Sequence, residues 1–184
     1  KIIVPGDASK TIMSAAAEIK LFLNQASKGS IEIFEEDKIT ENIGNYISIG
    51  RTKLLSDNGI NIDKAVIGQN GYRIVTKNEN IYIAGAADTG TLSGVYGFLE
   101  YSINFKVYAT DEIQFKSGDV ALLNFDIIEA PDIEYRVGDV TTRIDGDENY
   151  RMRLKYNSAD DVYMYAKGSL YHNSLIYFPF DIYS

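Results

Sequence analysis

The feature that most constrains the fold of this chain is a helical segment that carries three glycines. Asp88-Thr89-Gly90 opens the segment, and Gly90, Gly94 and Gly97 cluster on one part of its surface. Each glycine costs a helix about 1 kcal/mol relative to alanine. That cost is offset where the missing side chain lets the helix backbone lie close to a sheet. We therefore expect tight packing on a sheet, with the apolar residues on another side: Leu92, Val95, Tyr96 and Leu99.

Two further helices are predicted upstream. Apolar residues recur at helical spacing from Thr11 to Ala26, which predicts an amphipathic helix that ends with the cation Lys28 and a C-terminal Gly29. Residues 51–58 are predicted to form a short helix ending at Gly59. Residues 60–70 lack periodicity, so we expect a loop there.

Strands are predicted wherever short β-prone runs alternate or end at turn residues. The polar turn Lys77-Asn78-Glu79-Asn80 between two such runs predicts a β-hairpin. The predicted strands are Lys1–Pro5, Ile31–Phe34, Tyr46–Gly50, Tyr72–Thr76, Ile81–Ala84, Phe105–Tyr108, Glu112–Phe115 and Val120–Phe125.

Composition excludes several classes of function. The chain has 26 acidic and 18 basic residues, a net charge of −8, which disfavours nucleic-acid binding. We expect Arg151, Arg153 and Lys155 to form a solvated strand face. There is no cysteine, which removes disulfides and thiolate metal sites. No stretch reaches the roughly 18 apolar residues of a membrane span, so none is predicted.

A domain boundary is predicted at Glu129-Ala130-Pro131. Proline stops both helices and internal strands, and eight of the fourteen tyrosines follow it. We therefore expect one domain in residues 1–130 and a different one in residues 131–184. The sequence begins at Lys1 without a signal peptide, so we expect that a natural N-terminus has been removed.

Two loops resemble ligand sites but lack residues that the chemistry needs. In Gly85-Ala-Ala-Asp-Thr-Gly90, a phosphate loop would continue with lysine and then a hydroxyl residue, where this chain has Thr91 and Leu92. Packing is the simpler explanation for the glycines. Asp145-Gly146-Asp147-Glu148-Asn149 is rich in oxygen ligands, yet it lacks the glycine and glutamate of an EF-hand and is expected to be a solvated turn.

His172 is the only histidine, so a zinc site is not predicted and no cofactor or metal is expected. A histidine among aromatic residues is most often structural, and the tyrosines near it could line a sugar site or fill a core. Pairs of carboxylates would suit glycoside hydrolysis, but one sequence does not show which acidic residues lie together. No catalytic residue is therefore assigned.

The motifs above, in chain order, resemble the N-terminal domain that precedes the barrel in glycoside hydrolase families 20 and 67, and in related uncharacterised bacterial barrel proteins. The resemblance covers about residues 1–136, and its most specific part is the glycine-rich helix followed by Lys106-Val107-Tyr108-Ala109. The other matching segments are Ile2-Ile3-Val4-Pro5 with its helix, Tyr46-Ile47-Ser48-Ile49-Gly50-Arg51-Thr52, Gly71-Tyr72-Arg73-Ile74 and Ile81-Tyr82-Ile83-Ala84-Gly85.

This resemblance implies an α+β fold, a mixed sheet with two main helices on one face, of the β-hexosaminidase domain 2 type. It also implies a non-catalytic accessory domain in residues 1–130, and the incomplete beginning of a (β/α)8 barrel in residues 131–184. His172 and Asn173 resemble a turn near the family's active site and are predicted to contact the sugar. The family's catalytic carboxylates would lie beyond Ser184.

The function expected from this resemblance is support of a glycoside hydrolase barrel, whose partners would be that downstream barrel and its glycan substrate. The fragment itself would be inactive, and we expect an extracellular or cell-envelope location. Two alternatives remain open at this point. Fourteen tyrosines suit a carbohydrate-binding or surface-interaction module. A metal-dependent hydrolase is the other, which the absence of HExxH and cysteine argues against.

Overall fold

The computed structural model describes residues 1–40, 44–118, 120, 123–133, 136 and 148–156. The chain divides into two units, Lys1–Glu134 and Tyr135–Ser184. In the first unit the strands and helices follow in the order β1 Ile2–Val4, α1 Lys10–Ser27, β2 Ile33–Glu35, β3 Ile47–Ile49, α2 Lys53–Asp57, α3 Lys64–Ile67, β4 Tyr72–Lys77, β5 Asn80–Gly85, α4 Asp88–Ile103, β6 Lys106–Val107, β7 Ile113–Gln114 and β8 Asp126–Glu129.

Six strands form one mixed sheet in the order β2-β1-β3-β5-β4-β8. Strands β2, β1, β3 and β5 are mutually parallel, while β4 runs antiparallel to both β5 and β8. Strands β6 and β7 form a separate antiparallel pair. The expectation of a mixed sheet in an α+β fold is confirmed.

The two long helices, α1 and α4, lie on one face of this sheet. Ile49, Ile83 and Ile74 are register partners across three neighbouring strands and are fully buried. Successive side chains of a strand point to opposite faces, so the next residues along β4 and β5 form a second core on the other face. There Val75, Tyr82 and Ala84 pack with Leu55 and Ile60, which lie in and after α2.

Helix α1 buries the stripe that its sequence predicts. Ser9 is its N-cap, and the Ser9 hydroxyl accepts a hydrogen bond from the Ile12 amide at 3.2 Å. The C-terminus differs from the prediction, because Lys28 rather than Gly29 adopts the left-handed conformation, with φ of 54°. The buried residues are Ile12, Ala15, Ala16, Glu18, Ile19, Phe22, Leu23 and Ala26.

Gly94 and Gly97 of α4 face the sheet, and Gly90 faces the backbone just before β4, so the close approach predicted from these glycines is present. A methyl group built on Gly94 would lie 3.0 Å from the Tyr72 Cβ and from Ile83, and one on Gly97 would meet the Tyr72 hydroxyl. A methyl group on Gly90 would meet the carbonyl oxygen of Gly71. Every residue from Gly90 to Leu99 is buried, so this middle part of the helix is enclosed on all sides, whereas Asp88 and Tyr101 near its ends are exposed.

The hairpin of β4 and β5 turns on two residues rather than four. Asn78 and Glu79 have φ of 51° and 61°, the positive values that a type I′ turn requires at both central positions. Lys77 and Asn80 are paired across the hairpin as its last ladder residues. The predicted hairpin is therefore present, with longer strands than expected.

Several predicted elements differ from the structure. Residues 60–70 contain helix α3, which Asp63 caps through its carboxylate, so the predicted loop is wrong there. The last described strand of the unit is β8 at Asp126–Glu129, and the described residues of the predicted strand, 120 and 123–125, are not in a strand. Arg151 and Arg153 lie in a helix, α5 (Glu148–Arg153), and not on a strand face. That helix is the described element of the second unit, and the barrel start in residues 131–184 stays a prediction.

Candidate functional site

The carboxyl ends of the three parallel strands β1, β3 and β5 bring several polar groups together. Each strand leads into a helix at this edge, which is where open α/β sheets usually bind ligands. The Ser9 hydroxyl donates to the Asp88 carboxylate at 2.6 Å and thereby links the N-termini of α1 and α4. An Arg51 guanidinium nitrogen donates to the Ala86 carbonyl at 3.3 Å. These polar groups at the edge hydrogen-bond one another or the backbone.

The polar groups of the loop that resembles a phosphate site bond to other groups of the protein. The Thr91 hydroxyl accepts from the Gly85 amide at 2.9 Å and is buried, so it does not point to a ligand. The Thr89 hydroxyl donates to the Asn70 side chain at 2.9 Å. Gly90 lies against the Gly71 carbonyl. These contacts explain the loop's glycines and hydroxyls by packing and not by phosphate binding, as the sequence suggested.

A buried carboxylate lies between the two long helices. Glu18 of α1 is 9% exposed, and its Oε2 accepts from the Tyr96 hydroxyl of α4 at 3.2 Å. Sequence reasoning missed this residue, although a signal was present. Glu18 follows Ala15 and precedes Phe22 at helical spacing on the buried stripe, so a charge at that position needs a partner.

Two tyrosines pair in the core on the opposite face of the sheet. The Tyr46 and Tyr82 hydroxyls are 2.7 Å apart, and their rings meet edge to face with centroids 5.8 Å apart. Burial of Tyr82, reinforced by the hydrogen bond and charge interaction with Tyr46, raises the pKa of the Tyr82 phenol well above its ordinary value. A phenol held neutral in this way stabilises the core and does not act as a base near neutral pH.

A small cleft lies at the other end of the parallel strands. Its volume is about 230 Å³, smaller than a typical ligand pocket of roughly 300–1,000 Å³. Leu23, Ile47 and Phe98 contribute to a mainly apolar lining, and Asn45 and Glu79 are among its polar residues. Among the described residues that line the cleft, Glu79 is the one carboxylate, whereas hydrolysis of a glycosidic bond uses two.

The residues predicted to contact sugar, His172 and Asn173, lie outside the described residues, as do Asp145, Gly146 and Asp147 of the acidic turn. Glu148 and Asn149 of that turn begin helix α5. Within the described parts of the chain, no group of three histidine or carboxylate side chains is placed to hold a metal ion. Among the same residues, no helix has the length and apolar character needed to cross a membrane.

Several large apolar side chains remain on the surface of the first unit. Val66 of α3, Ile128 of β8 and Ile133 after it are each more than half exposed. Tyr101 and Tyr108 are both 54% exposed. Met13 and Leu21 lie about two turns apart on α1, and each side chain is about two-fifths exposed.

Comparison with known proteins gives a fold and no family. No protein-family model matches the sequence, and no curated protein is significantly similar to it. The chain is similar in structure to a family GH115 4-O-methyl-alpha-glucuronidase with specificity for decorated arabinogalactans. That match has a TM-score of 0.56 and 15% identity, and it covers 85% of this chain and 24% of the other.

Two weaker similarities have TM-scores of 0.34, too low to establish a common fold. One is to a GH138 enzyme targeting pectin rhamnogalacturonan II, with 18% identity over 52% of this chain and 9% of that one. The other is to the Streptomyces plicatus N-acetyl-beta-hexosaminidase, with 14% identity over 51% and 15%. The fold of this chain is thus one that occurs in a glycoside hydrolase, and the chain spans about a quarter of that enzyme's length.

Proposed function

We propose that residues 1–130 are the non-catalytic N-terminal domain of a glycoside hydrolase, of the β-hexosaminidase domain 2 type, and that residues 131–184 begin its (β/α)8 barrel. The observation that supports this most is the structural similarity to part of the GH115 glucuronidase, which extends over 85% of this chain but only 24% of that enzyme. A domain of this size would be a module of a larger enzyme.

The polar contacts of the first unit support a non-catalytic role. Hydrolysis of a glycosidic bond needs two carboxyl groups that face a substrate cleft. Instead, the Asp88 carboxylate accepts from Ser9, and the buried Glu18 accepts from Tyr96 between two helices. Both carboxylates hold elements together, and the work of the domain would be mechanical support.

Support requires a surface on which the barrel can rest. When another domain covers exposed apolar side chains, the removal of their surface from water stabilises the contact by roughly 25 cal/mol per Å² of apolar area. Val66 and Ile128 are 58% and 53% exposed, and covering either side chain would contribute to such an interface. We propose that the downstream barrel is the partner and that the glycan is bound by the barrel.

Hydrolysis of a panel of glycosides, including aryl glucuronides and hexosaminides, tests the assignment. The complete protein that contains this chain should hydrolyse at least one of them, and the 184-residue chain and residues 1–130 should hydrolyse none. Activity of residues 1–130 alone would overturn the proposal. Inactivity of the complete protein on every glycoside class would overturn the link to hydrolysis.

The supporting role has its own test in the complete protein. In the complete protein, the double substitution Val66→Ser with Ile128→Ser should lower the temperature at which activity is lost. In the fragment of residues 1–134, the same double substitution should leave the midpoint temperature of thermal unfolding unchanged. Met13→Ser with Leu21→Ser is the matched control, because those apolar residues lie exposed on α1. Equal effects of the two pairs, or no effect of either, would contradict a specific supporting surface.

His172 and Asn173 are proposed to contact the sugar in the barrel, in an extracellular or cell-envelope enzyme. The substitution His172→Ala removes the imidazole and should raise KM for the glycoside more than it lowers kcat, because a binding contact is lost while the catalytic carboxylates are unchanged. Asn173→Ala should act in the same direction. Kinetics that match the unaltered enzyme for both variants would remove these residues from the site.

A second candidate function is carbohydrate binding by the first unit itself. Tyr101 and Tyr108 are each 54% exposed, and an exposed aromatic ring can stack on a sugar. Calorimetry or a glycan array with residues 1–134 distinguishes the two functions. Binding that Tyr101→Ala or Tyr108→Ala abolishes would favour this function, and no binding to any glycan would favour the supporting role.

A further inference from the structure

We draw no further inference here: the strongest candidate, the apolar cleft of about 230 Å³ between α1, α4 and the N-terminal edge of the parallel strands, carries none because nothing in the described part of the chain shows what covers it.

Discussion

At the scale of single residues, the packing of α4 depends on glycines whose replacement would force the backbone apart. In an exposed helix, Gly→Ala stabilises by about 1 kcal/mol. A methyl group on Gly90 would instead collide with the Gly71 carbonyl, which belongs to the backbone, and one on Gly97 would collide with the Tyr72 hydroxyl. We expect Gly90→Ala to lower the free energy of unfolding by about 2–3 kcal/mol, as overpacking does, and Gly97→Ala to lower it less.

The difference between the two variants comes from what each methyl group meets. The Tyr72 hydroxyl is the end of a side chain and can shift, whereas the carbonyl of Gly71 is fixed by the chain around it. Urea denaturation followed by circular dichroism measures both values. If both variants were more stable than the unaltered chain, the gain in helix propensity would outweigh any steric clash, and α4 would not lie as close to its neighbours as described.

The Tyr46–Tyr82 pair gives a residue-scale prediction about pH. Burial raises the pKa of Tyr82 in the folded state, above the value of about 10 that tyrosine has in an unfolded chain. Above about pH 10 the unfolded chain therefore binds fewer protons than the folded one, so the free energy of unfolding falls as pH rises. This contribution is complete below pH 10 and is lost progressively above it.

Urea denaturation between pH 8 and 11 measures that loss. The unaltered chain should lose more stability over this range than Tyr82→Phe, which has no phenol to titrate at this position. Tyr101→Phe is the matched control, because it removes the hydroxyl of an exposed tyrosine instead of a buried one. The chain has fourteen tyrosines, so the comparison between variants carries the result. Identical pH dependence in Tyr82→Phe would show that this phenol is not held neutral.

At the scale of elements, one hydroxyl connects the starts of the two long helices. Ser9 accepts from the Ile12 amide and donates to the Asp88 carboxylate. Ser9→Ala removes both hydrogen bonds and should cost about 1–2 kcal/mol of unfolding free energy, the upper part of the range for a lost N-cap. Ser9→Thr keeps the hydroxyl and should cost less than half as much. Thermal unfolding of both variants decides this, and equal losses would mean that the hydroxyl contributes nothing.

The same elements show how far sequence reasoning reaches. Helix α1 was predictable because its buried stripe repeats at 3.6 residues, and the position of α4 was predictable because three glycines need a close neighbour. Helix α3 was not, since a four-residue helix is too short to show a period. The position of strand β8 was not predicted correctly, because this strand is largely exposed at the edge of the sheet. Its place is decided by pairing with β4 and not by hydrophobicity.

The candidate sites were less predictable than the fold, for a reason of scale. The Ser9–Asp88 contact joins residues 79 positions apart, and the Tyr96–Glu18 bond joins residues 78 apart. Periodicity reports only on near neighbours in the sequence. Glu18 alone carried a local signal, a charge within an apolar stripe, which predicts that it has a partner but not which one.

At the scale of the whole molecule, the first unit contains a complete core of its own. The buried hydrophobic residues of the described chain run from Ile2 to Phe125, and they lie within Lys1–Glu134. A compact unit with its own core folds independently in most proteins. Residues 1–134 should therefore unfold in one cooperative transition, with a urea midpoint close to that of the 184-residue chain.

The limit of that unit is set by β8, and a shorter fragment tests this. Residues 1–124 lack β8, which pairs with β4, and lack Phe125, whose ring lies 5.5 Å from that of Phe98. Loss of a buried phenylalanine alone costs about 3–5 kcal/mol, so residues 1–124 should lose cooperative unfolding or a large part of their stability. Residues 1–130 retain β8 and should behave as residues 1–134 do. If residues 1–124 were as stable as the longer fragments, β8 would be an attachment to the sheet and the structural domain would end before it.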